Sequence, residues 1–384
     1  MKFNTMKMED ALDALIDYRG KTPKKSKTGI MTLSAKSVKN NHIDYSQCYF
    51  ISEEEYEKFM VRGFPKKGDI LLTTEATLGL VARLDRNDVA IAQRLLTLRG
   101  KENVLDNDYL LYYLQSPIGQ ASLKARETGT TVTGIKQAEF RKIEIEIPDY
   151  EVQKKVSGIL RVIDKKIELN NAINNNLSVL LQAIYQKLFG EVSLGANQGI
   201  LSDICSYSKE KVAVSELNVN TYFSTENMLP EKAGSTKATS LPTTPQTTAC
   251  RKGDTLISNI RPYFKKIVYC EDMCGCSTDV LCFTPVQSQY AAYLFSTLYT
   301  DKFFAFMVAG SKGTKMPRGD KQQIMTYPVV LPTESELEEF NAIAFPVLEQ
   351  LNSNKAENKR LAALRDALLP KLMSGEIDIA AIDL

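Results

Sequence analysis

Hydrogen-bonding side chains follow a short apolar segment that occurs twice in the sequence. The first copy is Gly68-Asp-Ile-Leu-Leu-Thr-Thr74, and the second is Gly253-Asp-Thr-Leu-Ile-Ser-Asn259. Arginine can bind guanine through two hydrogen bonds, and asparagine or glutamine can bind adenine in the same way, so these residue types are suited to reading base edges. The candidates for base contacts are Thr73, Thr74, Gln93 and Arg94 in the first half, and Ser258, Asn259, Arg261 and Tyr263 in the second.

Cationic and hydroxyl side chains in three loops are suited to a phosphate backbone. The first loop, from Arg19 to Thr28, mixes five cations with Gly, Pro, Ser and Thr. Such side chains position a protein on nucleic acid without reading its sequence. The phosphate candidates are Arg19, Lys21, Lys24, Lys25 and Lys27, then Thr130, Thr131 and Lys136, then Lys312, Lys315 and Arg318. A solvated surface role is the alternative for each of these residues.

The sequence predicts no catalytic residue, no cofactor and no metal site. His42 is the only histidine, so the usual general base is missing from most of the chain, and there is no HExxH, GxSxG, Walker or GxGxxG motif. The cysteines between Cys270 and Cys282 lack the CxxC spacing of a zinc site.

Composition sets broad limits on the class of protein. The chain has 384 residues, 43% of them hydrophobic, and a net charge of +2, so it is long enough for two or three domains and is not a polycation. No segment reaches the roughly 18–20 apolar residues of a membrane span. The seven cysteines are an odd number and indicate reduced thiols. We expect a cytoplasmic protein that makes no membrane contact.

Hydrophobic periodicity predicts the elements that position these side chains. The predicted strands of the first half are Ile30–Leu33, Tyr49–Ile51, Gly68–Thr74, Leu80–Leu84, Val89–Leu98 and Ile143–Ile147, and the predicted short helices are Met8–Ile16, Glu53–Met60, Tyr109–Gln115 and Ile118–Arg126. Residues 129–134 are predicted to form a loop. Pro148 is predicted to start a long helix, with Asp149 near the positive end of its dipole.

The long helix carries a heptad seam that recurs 184 residues later. Its seam residues are Val156, Leu160, Ile163, Ile167, Asn170, Asn174, Leu177, Leu181, Ile184 and Leu188, and those of the copy are Phe340, Ala344, Val347, Leu351, Asn354, Asn358, Leu361, Arg365, Leu368 and Leu372. Alternating spacings of four and three predict that the two helices pair. An antiparallel pairing about the seam centres places Asn170 opposite Asn358 and Asn174 opposite Asn354.

The central asparagines are predicted to set the register of this pair, because a slipped pairing would leave amides facing leucines. We expect replacement of Asn170 and Asn174 by leucine to raise the thermal stability and to loosen orientation or oligomeric state. A seam of this length spans roughly 50 Å at about 1.5 Å per residue. It would place two globular copies at opposite ends, related by pseudo-two-fold symmetry. An ordinary helical dimerisation arm is the alternative.

The repeat extends beyond the helices. Gly313-Thr314 matches Gly129-Thr130, and Pro332 matches Pro148, all at an offset of 184, whereas residues 200–250 look unlike residues 19–52. The set of predicted elements is duplicated, whereas the segments inserted between them differ in sequence. Two diverged copies held a few tens of Å apart would suit a bipartite reader of DNA, whose grooves recur about every 34 Å.

The repeated plan resembles the specificity subunit of type I restriction–modification enzymes, over essentially the whole chain. The residues that carry the resemblance are the Gly-Asp-Ile-Leu-Leu segment, the loop Gly129-Thr-Thr-Val-Thr-Gly-Ile-Lys-Gln137, and the helix opening Ile147-Pro-Asp-Tyr-Glu-Val-Gln-Lys154. The second opening, Leu331-Pro-Thr-Glu-Ser-Glu-Leu337, departs from the pattern.

The resemblance implies an α+β fold with two similar α/β target recognition domains separated by two long antiparallel coiled-coil helices, related by an internal pseudo-two-fold repeat. The implied domains are residues 1–147 and 191–331, with spacer helices at 148–190 and 332–375 and a tail at 376–384.

The resemblance also implies partners. These are double-stranded DNA with two half-sites, two methyltransferase subunits that hold S-adenosylmethionine and methylate adenine N6, and motor-nuclease subunits that restrict unmodified DNA. The target adenine would leave the base stack for the methyltransferase. Two alternatives stay open: a self-sufficient DNA methyltransferase or nuclease, which the missing cofactor motifs disfavour, and a coiled-coil scaffold that does not bind DNA.

Overall fold

Two units, each with its own core, make up the computed structural model, which describes residues 2–75, 77–129, 133–190 and 197–379. Unit 1 comprises Met1–Glu168 with Asn358–Leu384, and unit 2 comprises Leu169–Glu357. Each of the two long helices therefore contributes one segment to each unit.

Unit 1 combines antiparallel and mixed sheets with short helices. Its strands are β1 (Phe3–Lys7), β2 (Leu12–Asp17), β3 (Lys25–Ser26), β4 (Ile30–Leu33), β5 (Val38–Lys39), β6 (His42–Ile43), β7 (Tyr49–Ile51), β8 (Ile70–Thr73), β9 (Val81–Arg83), β10 (Val89–Ile91), β11 (Leu95–Gly100) and β12 (Glu144–Pro148). Its helices are α1 (Met8–Ala11), α2 (Glu53–Phe59), α3 (Asn107–Gln115), α4 (Pro117–Ala125), α5 (Gln137–Arg141) and the first part of α6 (Tyr150–Phe189).

Strand β8 lies between two cores of unit 1. It occupies an inner position in the antiparallel sheet β2-β11-β8-β9, and a second sheet has the order β10-β4-β7-β3. Ile70 and Leu72 pack into the core that includes α3, whereas Leu71 packs into the core beneath the second sheet. Because successive side chains of a strand face opposite sides, β8 is buried on both faces.

Unit 2 repeats this arrangement. Its strands are β13 (Gln198–Ile200), β14 (Cys205–Tyr207), β15 (Lys211–Ala213), β16 (Tyr222–Phe223), β17 (Gln246–Cys250), β18 (Thr255–Ser258), β19 (Ile267–Tyr269), β20 (Cys274–Cys276), β21 (Val280–Pro285) and β22 (Pro328–Val330). Its helices are α7 (Leu201–Ile204), α8 (Ala291–Leu298), α9 (Asp301–Ala309), α10 (Lys321–Ile324) and the first part of α11 (Glu334–Met373).

The predicted fold class and internal repeat are confirmed. The sheet order β14-β21-β18-β19 matches β2-β11-β8-β9, and the pair β13-β22 matches β1-β12. Helices α8, α9, α10 and α11 begin 184 residues after α3, α4, α5 and α6. One frame therefore occurs twice, with its helices and central sheet in the same order.

Two predictions for unit 1 elements were wrong. The segment Met8–Ile16 was predicted to be one helix, but α1 ends at Ala11 and the chain continues as β2. Pairing of β2 with β11 overrides the local helical pattern. The segment Val89–Leu98 was predicted to be one strand, but it divides into β10 and β11, which belong to different sheets. Arg94 adopts a left-handed φ of 71° at this division.

The long helices run antiparallel within each unit. In unit 2, Asn354 Nδ2 donates to Asn174 Oδ1 over 2.8 Å, and the rings of Tyr185 and Phe189 lie 6.3 and 5.5 Å from that of Phe340. Asn170 Nδ2 donates to Glu357 Oε2 over 2.8 Å.

In unit 1, Arg365 Nη1 donates to Asp164 Oδ1 over 2.9 Å. Val156 and Leu160 share one core with Leu369 and Leu372. The structure thus places Asn174 opposite Asn354, the pair that the seam predicts. In both units, residue numbers increase along one helix in the direction in which they decrease along the other, so the paired segments are antiparallel.

Candidate nucleic-acid interface

In unit 1, candidate residues meet where β8 ends. The Thr74 amide donates to the Arg94 carbonyl over 3.1 Å, and the Ile135 amide donates to the Thr74 carbonyl over 2.9 Å. Glu75, which follows, pairs with Gly134 in an antiparallel bridge. Backbone bonds therefore join three separate loops at this point, which we call the unit 1 junction (Thr74–Glu75, Arg94 and Gly134–Ile135).

The unit 1 junction carries two guanidinium groups around one carboxylate. Arg94 Nε lies 3.0 Å from Glu75 Oε1, and Arg19 Nη2 lies 4.0 Å from Glu75 Oε2. Both arginine side chains remain roughly half exposed, at 50% and 43%. One carboxylate cannot neutralise two cations, so the junction presents a net positive charge to solvent. Gln93 and Lys136 are chain neighbours of this cluster.

In unit 2, the equivalent point has the same backbone bonds and different side chains. The Asn259 amide donates to the Asp279 carbonyl over 2.8 Å, as Thr74 does to Arg94. Ile260 bridges Arg318, as Glu75 bridges Gly134. These residues (Asn259–Ile260, Asp279 and Arg318) form the unit 2 junction. The two junctions therefore have the same arrangement of backbone hydrogen bonds.

The ion pair of the unit 2 junction joins a different pair of loops from that of the unit 1 junction. Arg318 Nη2 lies 3.2 Å from Asp279 Oδ1, and the Arg318 side chain is 51% exposed. In unit 1 the cation stands at the position of Asp279, as Arg94. Lys312 Nζ pairs with Asp320 Oδ2 over 2.5 Å and holds the pKa of that carboxyl below its usual range. Lys315 and Tyr263 are exposed beside this junction.

The chain is similar in sequence to proteins that carry a DNA specificity domain. Residues 3–179 match the family model described as the type I restriction modification DNA specificity domain. The type I restriction enzyme MjaIX specificity subunit of Methanocaldococcus jannaschii is 22% identical over 356 residues, which cover 86% of this chain and 82% of that protein. The first part of the chain thus matches a type I restriction–modification DNA specificity domain, and the chain as a whole is similar to a type I specificity subunit.

Two further known proteins are similar to this chain over different lengths. The type I restriction enzyme HindI specificity subunit of Haemophilus influenzae is 28% identical over 155 residues, which cover 38% of this chain and 34% of that protein. The crystal structure of a type I restriction–modification S subunit from M. genitalium shares the fold, with a TM-score of 0.62 and 18% identity, over 97% of this chain and 96% of that one. The expectation of a DNA-recognition subunit is thereby confirmed.

Four of the candidate side chains are buried, and one of them is Thr74, which is 6% exposed. Thr73 is 1% exposed, and its hydroxyl donates to the Thr77 carbonyl while accepting from the Leu80 amide. Ser258 is 2% exposed, and Asn259 is 6% exposed. Thr73 lies on the same face of β8 as Leu71, which explains its burial. We therefore leave Thr73 and Ser258 out of the DNA contacts proposed below.

The basic loop from Arg19 to Thr28 lies at another place in unit 1. Lys21, Lys24, Lys25 and Lys27 are exposed on or beside the edge strand β3 of the sheet β10-β4-β7-β3. The Lys25 ammonium lies 4.7 Å from the centre of the Tyr49 ring. Arg19 is the member of the loop that reaches the unit 1 junction. Thr130 and Thr131 lie outside the described residues.

Between residues 2 and 379, apart from the undescribed gaps, no three or more His, Cys, Asp or Glu side chains are arranged to hold a metal ion. All seven cysteines are free thiols, and those of unit 2 fill its apolar interior. No helix in the described part of the chain is long and apolar enough to cross a membrane.

Sequence reasoning missed the carboxylates that organise the two junctions. Glu75 and Asp279 orient exposed arginines, although neither was a candidate. Glu75 directly follows the first apolar copy, and Asp279 stands 185 residues after Arg94. Aligning the copies at that offset would have drawn attention to both residues. The sequence also carried an exposed ring at Phe264, next to the candidate Tyr263.

Proposed function

We propose that each unit of this specificity subunit reads one half-site of a bipartite DNA target. The observation that carries the proposal is the pair of junctions, which share their backbone hydrogen bonds and differ in their exposed side chains. A constant frame with variable side chains is what recognition of two different half-sites requires, because base choice depends on side-chain donors and acceptors.

Base reading is proposed for exposed or partly exposed residues in the junctions or close to them in sequence. These are Gln93, Arg94, Arg261, Tyr263 and Arg318, with Glu75 and Asp279 holding two of the arginines in place. Arg19, Lys136, Lys312 and Lys315 would contact phosphates at the junctions, and Lys21, Lys24, Lys25 and Lys27 would do so along the edge of β3. Thr74 and Asn259 would act through the backbone, which joins the loops.

For the domains we propose the boundaries that the sequence predicts. Residues 1–147 and 191–331 would be the two target recognition domains, residues 148–190 and 332–375 the spacer helices, and residues 376–384 the tail. The chain would act in the cytoplasm, where its DNA and its partner subunits are found.

We also propose that the chain assembles with two methyltransferase subunits, which bind S-adenosylmethionine and methylate adenine N6, and with motor-nuclease restriction subunits. Helix α6 supports such assembly, because Leu169, Ile173 and Leu180 are 48%, 45% and 47% exposed. Their spacings of four and seven place them on one helix face, away from the buried seam residue Asn174. A second apolar stripe on a paired helix favours binding of a further helix.

A substitution pair tests this assembly surface. Ile173→Glu with Leu180→Glu should abolish co-purification with the methyltransferase subunits, because two carboxylates would be buried in an apolar contact. Asn175→Glu, at an exposed position on another face of the same helix, is the matched control and should bind normally. Equal binding by both variants would exclude this stripe as the contact.

A footprint of the reconstituted methyltransferase complex tests DNA recognition. We expect sequence-specific protection of two half-sites separated by an unread spacer. Complexes that form without such protection would favour a scaffold that does not bind DNA. Methylation of DNA by the purified chain with S-adenosylmethionine alone would favour a self-sufficient enzyme.

A further inference from the structure

The connection between β18 and β19 of unit 2 differs chemically from its counterpart in unit 1. Residues 259–266 read Asn-Ile-Arg-Pro-Tyr-Phe-Lys-Lys, with two aromatic residues and three cations. Residues 74–80, between β8 and β9, read Thr-Glu-Ala-Thr-Leu-Gly-Leu, with neither an aromatic residue nor a cation. The repeated frame thus carries an aromatic and basic insert in one copy only.

The insert is held in an unusual backbone conformation, which we call the aromatic turn (Arg261–Lys265). Pro262–Phe264 form one turn of 3-10 helix, flanked by left-handed Arg261 and Lys265, both with φ of 51°. Non-glycine residues rarely adopt this conformation, and it persists only where surrounding structure imposes it.

Hydrogen bonds from two neighbouring segments impose the aromatic turn. The Arg261 amide donates to the Pro317 carbonyl over 2.8 Å, and the Glu231 amide donates to the Phe264 carbonyl over 2.8 Å. The Lys232 amide donates to the Lys265 carbonyl over 3.0 Å. The turn is therefore anchored on both sides, and its direction is fixed.

The aromatic turn presents two neighbouring rings to solvent. Tyr263 is 47% exposed and Phe264 is 37% exposed. Their ring centres are 4.7 Å apart. Phenylalanine is usually buried, so a strained turn that exposes two adjacent rings is best explained by a ligand that covers them.

The rim of the aromatic turn is positively charged. Lys232 Nζ and Lys265 Nζ lie 2.9 and 3.0 Å from the same Asp301 oxygen, so one carboxylate offsets two cations. Lys266 Nζ donates to the Thr225 carbonyl over 2.5 Å and lies 5.9 Å from the Phe264 ring centre. Partial burial lowers the pKa of Lys266. Cations around exposed rings match nucleobases joined by phosphates, because bases stack on aromatic rings and phosphates bind lysines.

We propose that the aromatic turn unstacks DNA bases in the half-site read by unit 2, with Tyr263 and Phe264 entering a base step and the surrounding lysines contacting phosphates. The proposal rests on the proposed function and deepens it. Because unit 1 lacks an aromatic residue at this place, only one of the two half-sites is unstacked in this way.

Permanganate oxidation of thymines in the reconstituted methyltransferase complex tests the proposal, because permanganate attacks unstacked thymines. The readout covers both half-sites and excludes the methylated adenine and its pairing partner, since base flipping for methylation unstacks those separately. We expect enhanced reactivity in one half-site with the unaltered chain. Tyr263→Ala with Phe264→Ala should remove this reactivity and weaken specific binding about 10- to 100-fold.

Matched variants separate stacking from folding. Tyr263→Phe keeps both rings and should keep the thymine reactivity. Tyr263→Leu with Phe264→Leu keeps apolar bulk but removes both rings, so the thymine reactivity should be lost. This leucine pair replaces the alanine pair if the alanine pair fails to fold. Val286→Ala, at a 53% exposed position of the same unit, should behave as the unaltered chain.

The outcomes distinguish this proposal from the function on which it rests. The aromatic turn does not unstack DNA if the unaltered complex protects two half-sites but no thymine outside the flipped pair becomes reactive. The same conclusion follows if the complex with the leucine pair binds specific DNA with an affinity within twofold of that of the unaltered complex. If the leucine pair loses methyltransferase subunits while it folds normally, the turn is a protein contact and the proposal is wrong. Absence of any sequence-specific protection would instead contradict the proposed function.

Discussion

The asparagine pair between the long helices allows a quantitative prediction. Asn174 and Asn354 are 8% and 5% exposed, and they share a hydrogen bond of 2.8 Å. Asn174→Leu removes the acceptor and leaves the Asn354 amide group buried without it. A buried donor that loses its partner costs about 1–3 kcal/mol. For a unit of this size, each kcal/mol lowers the Tm by about 2–4 °C.

Changing both members of the pair should reverse this loss. In the variant Asn174→Leu with Asn354→Leu, an apolar layer replaces the amides, and such replacement is neutral or stabilising. Gln350 also loses its acceptor on Asn354, but its own side chain is exposed and can bond to water. The two substitutions should therefore couple favourably, by about 0.5–3 kcal/mol.

Urea unfolding of the full chain and the three variants gives the coupling as a double-mutant cycle. Asn175→Leu, at an exposed position on the same helix, is the control and should change the free energy of unfolding by less than about 0.5 kcal/mol. Two results would refute the reasoning. One is additive effects of the two substitutions on the free energy of unfolding, and the other is a free energy of unfolding that Asn174→Leu leaves unchanged. The structure revises the expectation that leucine at Asn170 and Asn174 alone stabilises, because the partners on α11 must change as well.

Three further predictions concern ion pairs, pH and salt. Arg99→Met should destabilise the chain by about 3–5 kcal/mol in urea unfolding, because Asp69, which is 1% exposed, would lose its two bonds of 2.7 and 2.8 Å. Burial raises the pKa of Asp254 in the folded chain. The stability that its protonation contributes is therefore fully present below the unfolded pKa of about 3.9 and is lost as pH rises through the higher folded pKa. Asp254→Asn should flatten the dependence of urea unfolding midpoints on pH between these two pKa values. Lys27→Ala should weaken DNA binding equally on all sequences and reduce the slope of log affinity against log salt by about 1 in binding titrations, whereas an unchanged slope would exclude a phosphate contact.

The elements predicted best from the sequence were those whose pattern is both long and local. The seam of α6 recurs in α11 over ten positions, and a regular spacing of that length has no other structural explanation. The same offset of 184 separates the first residues of α3, α4 and α5 from those of α8, α9 and α10 in the structure. Strong periodicity and duplication reinforce each other, so the fold could be predicted without tertiary information.

Side-chain burial and short elements could not be predicted in the same way. Thr73 and Arg94 both looked available for DNA, but Thr73 lies on an inner strand between two cores, while Arg94 stands on an exposed left-handed turn. That difference depends on which sheet covers β8, which is a tertiary property. The change from α1 to β2 at Leu12 likewise depends on the partner strand β11. Local patterns contain neither contact.

The most direct test is to map methylated adenines in a genome that encodes this chain together with the proposed methyltransferase subunits. The proposal that two diverged junctions read two half-sites predicts one bipartite motif, with two specified parts and an unspecified spacer of constant length. Arg94→Ala should relax the sequence of one part only, and Arg318→Ala that of the other. A single continuous motif, or relaxation of both parts by either substitution, would contradict the account.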